Sequence, residues 1–230
     1  MGERSEPHAV MRGDTCIVII GGEPPNPEIS ALLPARARVI AADSGLDHAE
    51  ALGLDVDLVL GDLDSVSKEA LDRARTAGIP VEEHPAAKDQ TDLELALDAA
   101  VAGGASHIVV VSGGGGRFDH LLAGALALAR PADSELVVEA WLGDAWIAAI
   151  HGPGRASVKA RPGELLSLIP VAGTAEGVRT SGLRYPLEGE PLLPGSTRGV
   201  SNEVLATLAE VSLESGSLLI VRPEALVVPR

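Results

Sequence analysis

Between residue 15 and about residue 140, short β-branched runs alternate with helical patterns, and this alternation limits the possible folds most strongly. Continuous apolar runs at 15–20, 37–42, 56–60 and 107–111 predict buried strands, and a shorter run at 79–82 predicts one more. Helical patterns lie between them at 67–77, 91–102 and 118–129. Repeated β-α-β order predicts a parallel sheet with helices on both faces, which is a three-layer α/β domain.

The pattern changes after about residue 143. Short strand-like pieces at 146–150, 165–170, 175–178, 204–211 and 217–221 are separated by Gly, Pro and Ser turns, and no helix is predicted among them. This part predicts a smaller antiparallel β domain of the sandwich or barrel type. We therefore expect two domains, 1–143 and 144–230, with residues 1–12 disordered.

Charge and cysteine content exclude several classes of function. The chain carries 18 Lys and Arg against 33 Asp and Glu, a formal net charge of −15. Nucleic acids and anionic membranes attract clustered basic residues, so neither is expected as a partner. Cys16 is the single cysteine, which rules out a disulfide within the chain. With no signal peptide or membrane-spanning run visible, we expect a cytoplasmic protein.

Aspartates follow the predicted strands, at the edge of a parallel sheet where ligands bind. In extended backbone, residues i and i+2 share a face, so Asp62 and Asp64 are predicted to point together. Two carboxylates on one face repel each other, and a hard divalent cation relieves that repulsion. The alternative is a solvated loop in which Ser65 or Ser67 caps the next helix.

A second acidic segment, from Lys88 to Glu94, opens a predicted helix. Thr91 and Glu94 have the spacing of a capping box, which is a purely structural explanation for both. That explanation does not extend to Asp89 and Asp92, which lie at the presumed ligand edge beside one of only three lysines. Together with Asp62 and Asp64, they would make a magnesium–phosphate site plausible.

A glycine run, Gly113 to Gly116, follows the strand at 107–111 and precedes the helix that contains His120. Glycine amides can approach a phosphate closely, and a helix N-terminus favours anions. The run fits neither a Walker loop nor a dinucleotide fingerprint, so a flexible turn is an equal alternative. His120 by itself is more typical of a helix start or a core position than of a catalyst.

Taken together, the motifs resemble those of the thiamine pyrophosphokinase (thiamine diphosphokinase) family. The resemblance rests on segments in the same order along residues 15–222: GDLDS at 61–65, KDQTDLELAL at 88–97, GGGGRFDHLLAGAL at 113–126, TSGLRYPL at 180–187 and GVSNE at 199–203. It implies a Rossmann-like N-terminal domain that binds ATP and Mg²⁺, followed by a β-sandwich that helps to bind thiamine. It also implies a homodimer whose active site lies between the subunits.

The implied reaction transfers the pyrophosphoryl group of ATP to the hydroxyethyl group of thiamine and releases AMP. The resemblance assigns catalytic roles to the acidic motifs and their lysine, with the four aspartates as metal ligands: Asp62, Asp64, Asp89, Asp92 and Lys88. It assigns ATP binding to Asp43, Thr91, Gly113, Gly114, Gly115, Gly116, Arg117, Asp119 and His120. It assigns thiamine binding to Tyr185, Ser201 and Asn202.

Three positions depart from the family pattern. Leu63 replaces an aromatic residue, which we interpret as a packing change, and Ser44 stands where glycine is usual. Gly124 replaces an asparagine, so a ligand contact from this position is not expected to carry over. Two rival functions remain open: another ATP-dependent transferase that acts on a different alcohol, and a non-catalytic sensor of thiamine or nucleotide on the same fold.

Overall fold

The computed structural model describes residues 15–87, 89–130 and 136–227. In the first half, six strands are parallel to one another: β1 (Thr15–Ile20), β2 (Arg38–Ala42), β3 (Leu58–Gly61), β4 (Val81–Glu83), β5 (His107–Ser112) and β6 (Val137–Leu142). Their order in the sheet is β4-β3-β2-β1-β5-β6. The carboxyl ends of these strands therefore meet along one edge of the sheet.

Helices cover both faces of this sheet. They are α1 (Gly45–Ala51), α2 (Lys68–Thr76), α3 (Asp92–Ala102), α4 (Phe118–Ala127) and a 3₁₀ helix (Pro27–Leu32). On one face, Leu93 and Leu97 of α3 pack against a cluster that includes Val18 and Ile40. On the other face, the 3₁₀ helix, α1 and α2 pack against the alternate side chains of the same strands. The mixed α/β class predicted for this half is confirmed.

Antiparallel strands make up the second half: β7 (Ala145–His151), β8 (Gly154–Lys159), β9 (Leu165–Ser181), β10 (Glu188–Leu192), β11 (Asn202–Glu203), β12 (Leu208–Leu213) and β13 (Ser215–Arg222). The sheet continues without a break from β6 through β7 and β13 to β9. The predicted domain boundary at Gly143 lies between β6 and β7, and these two strands pair with each other. One continuous sheet therefore extends across the predicted boundary.

A bend in β9 creates two layers. Its first part pairs with β13 and its second part with β12 and β10, and the change occurs near Ala172 and Gly173, both of which have positive φ. Side chains from both layers, including Leu166, Val211 and Leu218, form one buried cluster. Enclosing an apolar core between two layers removes it from water, which stabilises this half.

Several sequence predictions differ from the structure. The helix α1 and the strands β6, β8, β10 and β11 were not predicted, and the pieces predicted at 165–170 and 175–178 belong to the single strand β9. The strand predicted at 204–211 begins only at Leu208. The expected disorder of residues 1–12 and the position of Lys88 lie outside the described residues. Among the residues described, no helix has both the length and the apolar character needed to cross a membrane.

Candidate functional site

A cavity of about 490 Å³ opens at the carboxyl edge of the parallel strands, between that edge and the helices α3 and α4. Eight residues of the predicted site line it: Asp43, Thr91, Asp92, Gly114, Gly115, Gly116, Arg117 and His120. Apolar side chains, among them Leu93, Leu121 and Leu128, form the rest of the wall together with Gly124. The cavity therefore combines a polar rim with an apolar interior, which is typical of a site for a small molecule.

A wider and more open depression of about 570 Å³ lies on the β half, lined in part by Arg161, Glu164 and Arg222. The carboxylate of Glu164 accepts hydrogen bonds from both arginines, and Arg222 also lies 6.0 Å from the ring centroid of Trp146. These three side chains are therefore bonded to one another. We take the cavity at the carboxyl edge as the candidate site because eight of the predicted residues line it. Asp62, Asp64, Asp89 and Gly113 are not among its lining residues.

The carboxyl groups of Asp43 and Asp92 meet in this cavity. Asp43 follows β2 and Asp92 begins α3, so 48 residues of the chain lie between them. Burial raises the pKa of Asp43 to about 7, and a hydrogen bond with the Asp92 carboxyl acts in the same direction. The N–H of Leu63 donates to Asp43 Oδ1 at 3.1 Å and partly opposes this shift. A carboxyl group whose pKa is raised by burial and by a second carboxyl beside it has a place where a cation can replace its proton.

The loop after β3 has a shape that the sequence argument did not predict. Leu63 has a φ of 62°, so the backbone there is left-handed rather than extended, and the alternation expected to align Asp62 with Asp64 does not apply. The carboxylate of Asp62 instead accepts the N–H of Asp64 at 3.3 Å, which tightens the turn. Leu63 packs partly buried beside Val59 and Ala70, as expected for a packing residue.

The predicted capping box is confirmed at the start of α3. Thr91 Oγ1 accepts the N–H of Glu94 at 3.3 Å, and the Glu94 carboxylate accepts the N–H of Thr91 at 3.0 Å. This pair places Asp92 at the first turn of α3, where it lines the cavity. Asp89 is exposed on the segment that leads to the helix.

The glycine run needs glycine for two reasons. Gly114, Gly115 and Gly116 have φ values of 68°, 70° and 71°, a conformation that is costly for residues with a side chain. At Gly113 the reason is space, because a Cβ would lie 2.2 Å from the carbonyl oxygen of Glu23. The run therefore forms a left-handed loop at the mouth of the cavity.

The helix α4 begins directly after this loop, and its first turn lies beside the cavity. Within the described chain, no side chain caps the N-terminus of α4, and Arg117 occupies the capping position. Arg117 forms an exposed ion pair with Asp119 at 2.6 Å, while His120 lines the cavity. Asp119 does not line the cavity. Backbone N–H groups at an uncapped helix start, next to a glycine loop, suit an anion such as phosphate.

Sequence reasoning missed some residues that shape this edge. The hydroxyl of Ser112 donates to the carbonyl of Gly21 at 3.4 Å and accepts the N–H of Gly114 at 3.3 Å, so it connects the two glycine turns. His48 is buried, and its Nδ1 lies 3.3 Å from the carbonyl oxygen of Ile20. Ser112 could have been noticed as the last residue of a strand, but His48 lies on a helix that was not predicted.

The three residues assigned to thiamine lie together on the β half. Asn202 is buried, and its side chain binds the backbone N–H and carbonyl of Tyr185 at 3.0 and 2.7 Å. It also accepts the N–H of Glu203 at 2.9 Å. Tyr185 is 65% exposed, and Ser201 is exposed with its N–H bonded to Ser167 Oγ. Asn202 therefore fixes the backbone that presents the Tyr185 ring to solvent.

The residues that the structure describes contain no preassembled group of three or more His, Cys, Asp or Glu side chains with the geometry of a metal site. The chemistry of the donor set nevertheless suits a hard cation, because carboxylate oxygens are the ligands that Mg²⁺ binds in proteins. Asp43, Asp62 and Asp92 are also close enough for the charges of the latter two to raise the pKa of the first.

Comparisons with known proteins agree over most of the chain. The family model for the thiamin pyrophosphokinase catalytic domain matches residues 29–139, and the model for its vitamin B1 binding domain matches residues 156–218. Thiamine pyrophosphokinase of Bacillus subtilis is 27% identical over 209 residues, which cover 90% of this chain and 97% of the relative.

Solved structures show the same similarity. The Bacillus subtilis enzyme superposes with a TM-score of 0.80 at 25% identity, covering 91% of this chain and 98% of that one. Thiamin pyrophosphokinase of Geobacillus thermodenitrificans has a TM-score of 0.74 at 25% identity, covering 90% and 96%. The Candida albicans enzyme shares the fold, with a TM-score of 0.74 at 13% identity over 90% and 89% of the two chains. Two domain models of one family, in their expected order and together spanning well over half of the residues, show that this chain belongs to the thiamine pyrophosphokinase family of ATP-dependent transferases.

Proposed function

We propose that this protein transfers the pyrophosphoryl group of ATP to the hydroxyethyl group of thiamine, giving thiamine diphosphate and AMP. The observation that carries the proposal is the cavity in which the Asp43 and Asp92 carboxyls meet the glycine loop and the uncapped start of α4. Transfer of a phosphoryl-type group needs positioning and charge neutralisation more than covalent help from the protein. Anion-binding backbone and cation-binding carboxylates in one cavity supply both.

The acidic residues suit Mg²⁺ as the cofactor. We assign its ligands to Asp62, Asp64, Asp89 and Asp92, with Asp43 hydrogen-bonded to the last of them. Bound there, the metal would neutralise phosphate charge and polarise the transferred group. It would also let a strongly anionic nucleotide approach a protein whose net charge is −15.

The residues of the chain itself bind and orient the reactants. We assign binding of the ATP phosphates to the N–H groups of Gly114 to Gly116 and of the first turn of α4. We assign Lys88 and Arg117 to the charge that develops during transfer. The hydroxyl oxygen of thiamine attacks the β-phosphorus, the bond from that phosphorus to the α-phosphate oxygen breaks, and AMP leaves with the electron pair. The proton of the thiamine hydroxyl group is released to water.

Thiamine is proposed to bind at Tyr185, Ser201 and Asn202, and the geometry of the sheet favours a site built from two chains. Asn202 pairs with Leu166 of β9, at the same edge of the sheet as the cavity. Four strand spacings separate β9 from β5, which is roughly 19 Å along the sheet. This is farther than one thiamine molecule reaches, so the thiamine residues of a second copy are the better candidates to complete each site.

An apolar stripe on α4 supports a homodimer. Phe118, Leu122 and Leu126 recur every four residues and are 74%, 47% and 48% exposed. Large apolar side chains in contiguous patches are uncommon on monomeric proteins. The stripe begins next to the glycine loop, so a second copy that covers it would also approach the cavity.

Product analysis with ATP, Mg²⁺ and thiamine tests the reaction. We expect AMP and thiamine diphosphate in equal amounts, with turnover lost in Asp62→Asn and retained in Asp72→Asn, an exposed control on α2. ADP with thiamine monophosphate would overturn the type of transfer. Thiamine binding without turnover would favour a sensor instead.

Mixing two impaired variants tests the shared site, with thiamine kept well below the KM of Tyr185→Ala so that this variant alone turns over slowly. Asp62→Asn and Tyr185→Ala change opposite ends of the proposed site, so a mixed dimer contains one site with neither substitution and should regain turnover. A mixture of Asp62→Asn with Asp92→Asn should regain none, because both residues come from the same half. If the first mixture stays inactive although mixed dimers form, the site lies within one chain.

We further propose a cytoplasmic location, which the single, buried thiol of Cys16 supports. The acidic net charge supports the expectation that neither nucleic acid nor membrane is a partner.

A further inference from the structure

The six-residue loop 62–67, which carries Asp62 and Asp64, is anchored to the segment formed by the end of β2 and the start of α1. The N–H of Leu63 donates to Asp43 Oδ1 at 3.1 Å, and the hydroxyl of Ser65 accepts the N–H of Ser44 at 3.3 Å. The third anchor joins Ser67 to Asp47. Alternate residues of the loop, Leu63, Ser65 and Ser67, are thus hydrogen-bonded to this one segment.

The third anchor is formed by a side chain that neither the sequence nor the catalytic proposal assigned. Asp47 Oδ2 accepts the N–H of Ser67 at 3.1 Å, and Asp47 Oδ1 accepts a hydrogen bond from the Ser67 hydroxyl. The same hydroxyl accepts the N–H of Ala70 at 3.2 Å and so caps α2. One half-buried carboxylate therefore holds both the end of the loop and the beginning of the following helix.

We propose that Asp47 is a positioning residue, which through Ser67 holds loop 62–67 in the conformation that presents Asp62 and Asp64 to the metal and nucleotide. The proposal rests on the proposed function only in what the two aspartates bind. A two-point hydrogen bond to a carboxylate is strong and directional, and groups behind metal ligands set ligand orientation. Asp47 would act on the reaction without touching a reactant.

A second tie between the same two helices provides a matched control. Arg73 of α2 donates to Glu50 of α1 in an exposed ion pair with contacts of 2.5 and 3.1 Å. It joins α1 to α2 as Asp47 does, but it lies beyond the loop, one helical turn and more from Ser67. If Asp47 merely held the helices together, loss of Glu50 would have comparable consequences.

The test measures Mn²⁺ binding in the presence of ATP and without thiamine, by electron paramagnetic resonance. In Asp47→Ala we expect the Kd for Mn²⁺ to rise about 10- to 100-fold, the range for groups that orient metal ligands. Asp47→Asn keeps an oxygen that accepts a Ser67 bond, so its Kd should stay within about threefold of wild type. Glu50→Gln should bind Mn²⁺ as the wild type does.

Steady-state kinetics give a second readout. The kcat of Asp47→Ala should fall while its KM for thiamine stays within about twofold, because the thiamine residues lie on the other half of the chain. Should Asp47→Ala fail to fold, Ser67→Ala removes the hydroxyl part of the same contact and should raise the Mn²⁺ Kd in the same direction. Where Asp47→Ala folds, adding Ser67→Ala should raise the Mn²⁺ Kd by less than the product of the two single effects, since both substitutions break the Asp47–Ser67 contact.

The outcomes separate the two hypotheses. Unchanged Mn²⁺ binding in Asp47→Ala, with or without a lower melting temperature, would show that Asp47 is merely structural and would overturn the inference. An equal change in Glu50→Gln would do the same. If the wild type forms no thiamine diphosphate, the proposed function fails, and the Mn²⁺ comparison still decides whether Asp47 positions the loop.

Discussion

Replacing Asn202 by alanine should reduce both stability and thiamine binding, because this one side chain holds the backbone that presents Tyr185. The substitution removes three hydrogen bonds, to Tyr185 N, Tyr185 O and Glu203 N, from a residue that is 9% exposed. Each is worth about 1 kcal/mol. Water can replace one of them at this partly covered site, so we expect a loss of about 2 kcal/mol in the free energy of unfolding.

For a chain of this length, a loss of that size lowers the melting temperature by about 4–8 °C, which calorimetry resolves easily. Release of the Tyr185 ring should also weaken its contact with cationic thiamine and raise the KM for thiamine by up to about tenfold. The KM for ATP should stay unchanged, because the nucleotide cavity lies at the other half. Arg184→Gln is the control: it breaks only the exposed Arg184–Glu203 ion pair, which contributes little.

A melting temperature within about 1 °C of wild type would refute this reasoning, since it would mean that the three bonds contribute nothing net. Equal rises in both KM values would also contradict it. They would indicate a general loosening of the fold rather than a local loss of the Tyr185 position.

Three further predictions concern the other half. The pKa of Asp43 is about 7 in the folded chain, against 3.8 for the ordinary carboxyl of an unfolded chain. Between pH 4 and 7 the folded state therefore binds a proton that the unfolded state has lost. The metal-free wild type should consequently lose stability as the pH rises from about 4 to 7. Asp43→Asn should flatten this slope in urea titrations at several pH values, and an equal slope in both proteins would contradict the assignment. Thr91→Ala should cost about 1 kcal/mol of unfolding free energy by removing the capping box, whereas Thr91→Ser should cost little; equal losses would argue that the methyl group matters instead. Gly113→Ala should weaken ATP binding, measured by calorimetry, more than Gly116→Ala, because a Cβ at Gly113 meets backbone and one at Gly116 meets open space. A larger loss of ATP binding in Gly116→Ala would show that the need for a left-handed φ, and not the lack of space for a Cβ, determines where glycine is required.

The parallel half was largely predictable because its signals are local. A β-branched run such as Thr15–Ile20 is recognisable in isolation, and the Thr91–Glu94 capping box lies within four residues. The helix α1 was not predicted because it has only seven residues and starts with glycine. Its few apolar residues are interrupted by Asp47, His48 and Glu50. A segment so short gives no clear helical period.

The β half was less predictable because its strands are defined by pairing. β9 runs on through a bend at Ala172 and Gly173, where the sequence resembles a turn, because each part of it finds a different partner strand. Short strands such as β11 exist only through their partners. Such pairing depends on residues far apart in the chain, so no local pattern reveals it.

The sequence by itself determined the α/β class, the acidic charge and the family motifs, since each is a matter of local composition and spacing. The residues proposed to bind ATP, Mg²⁺ and thiamine follow from the resemblance of those motifs to the family. The tertiary structure alone brought Asp43 against Asp92, tied loop 62–67 to Asp47, and committed Asn202 to the backbone of Tyr185. It also corrected the extended geometry assumed for Asp62 and Asp64, because the N–H of Leu63 turns back to Asp43. These features depend on contacts between distant segments, and only burial and hydrogen bonding in the folded chain decide which polar groups are left to bind a ligand.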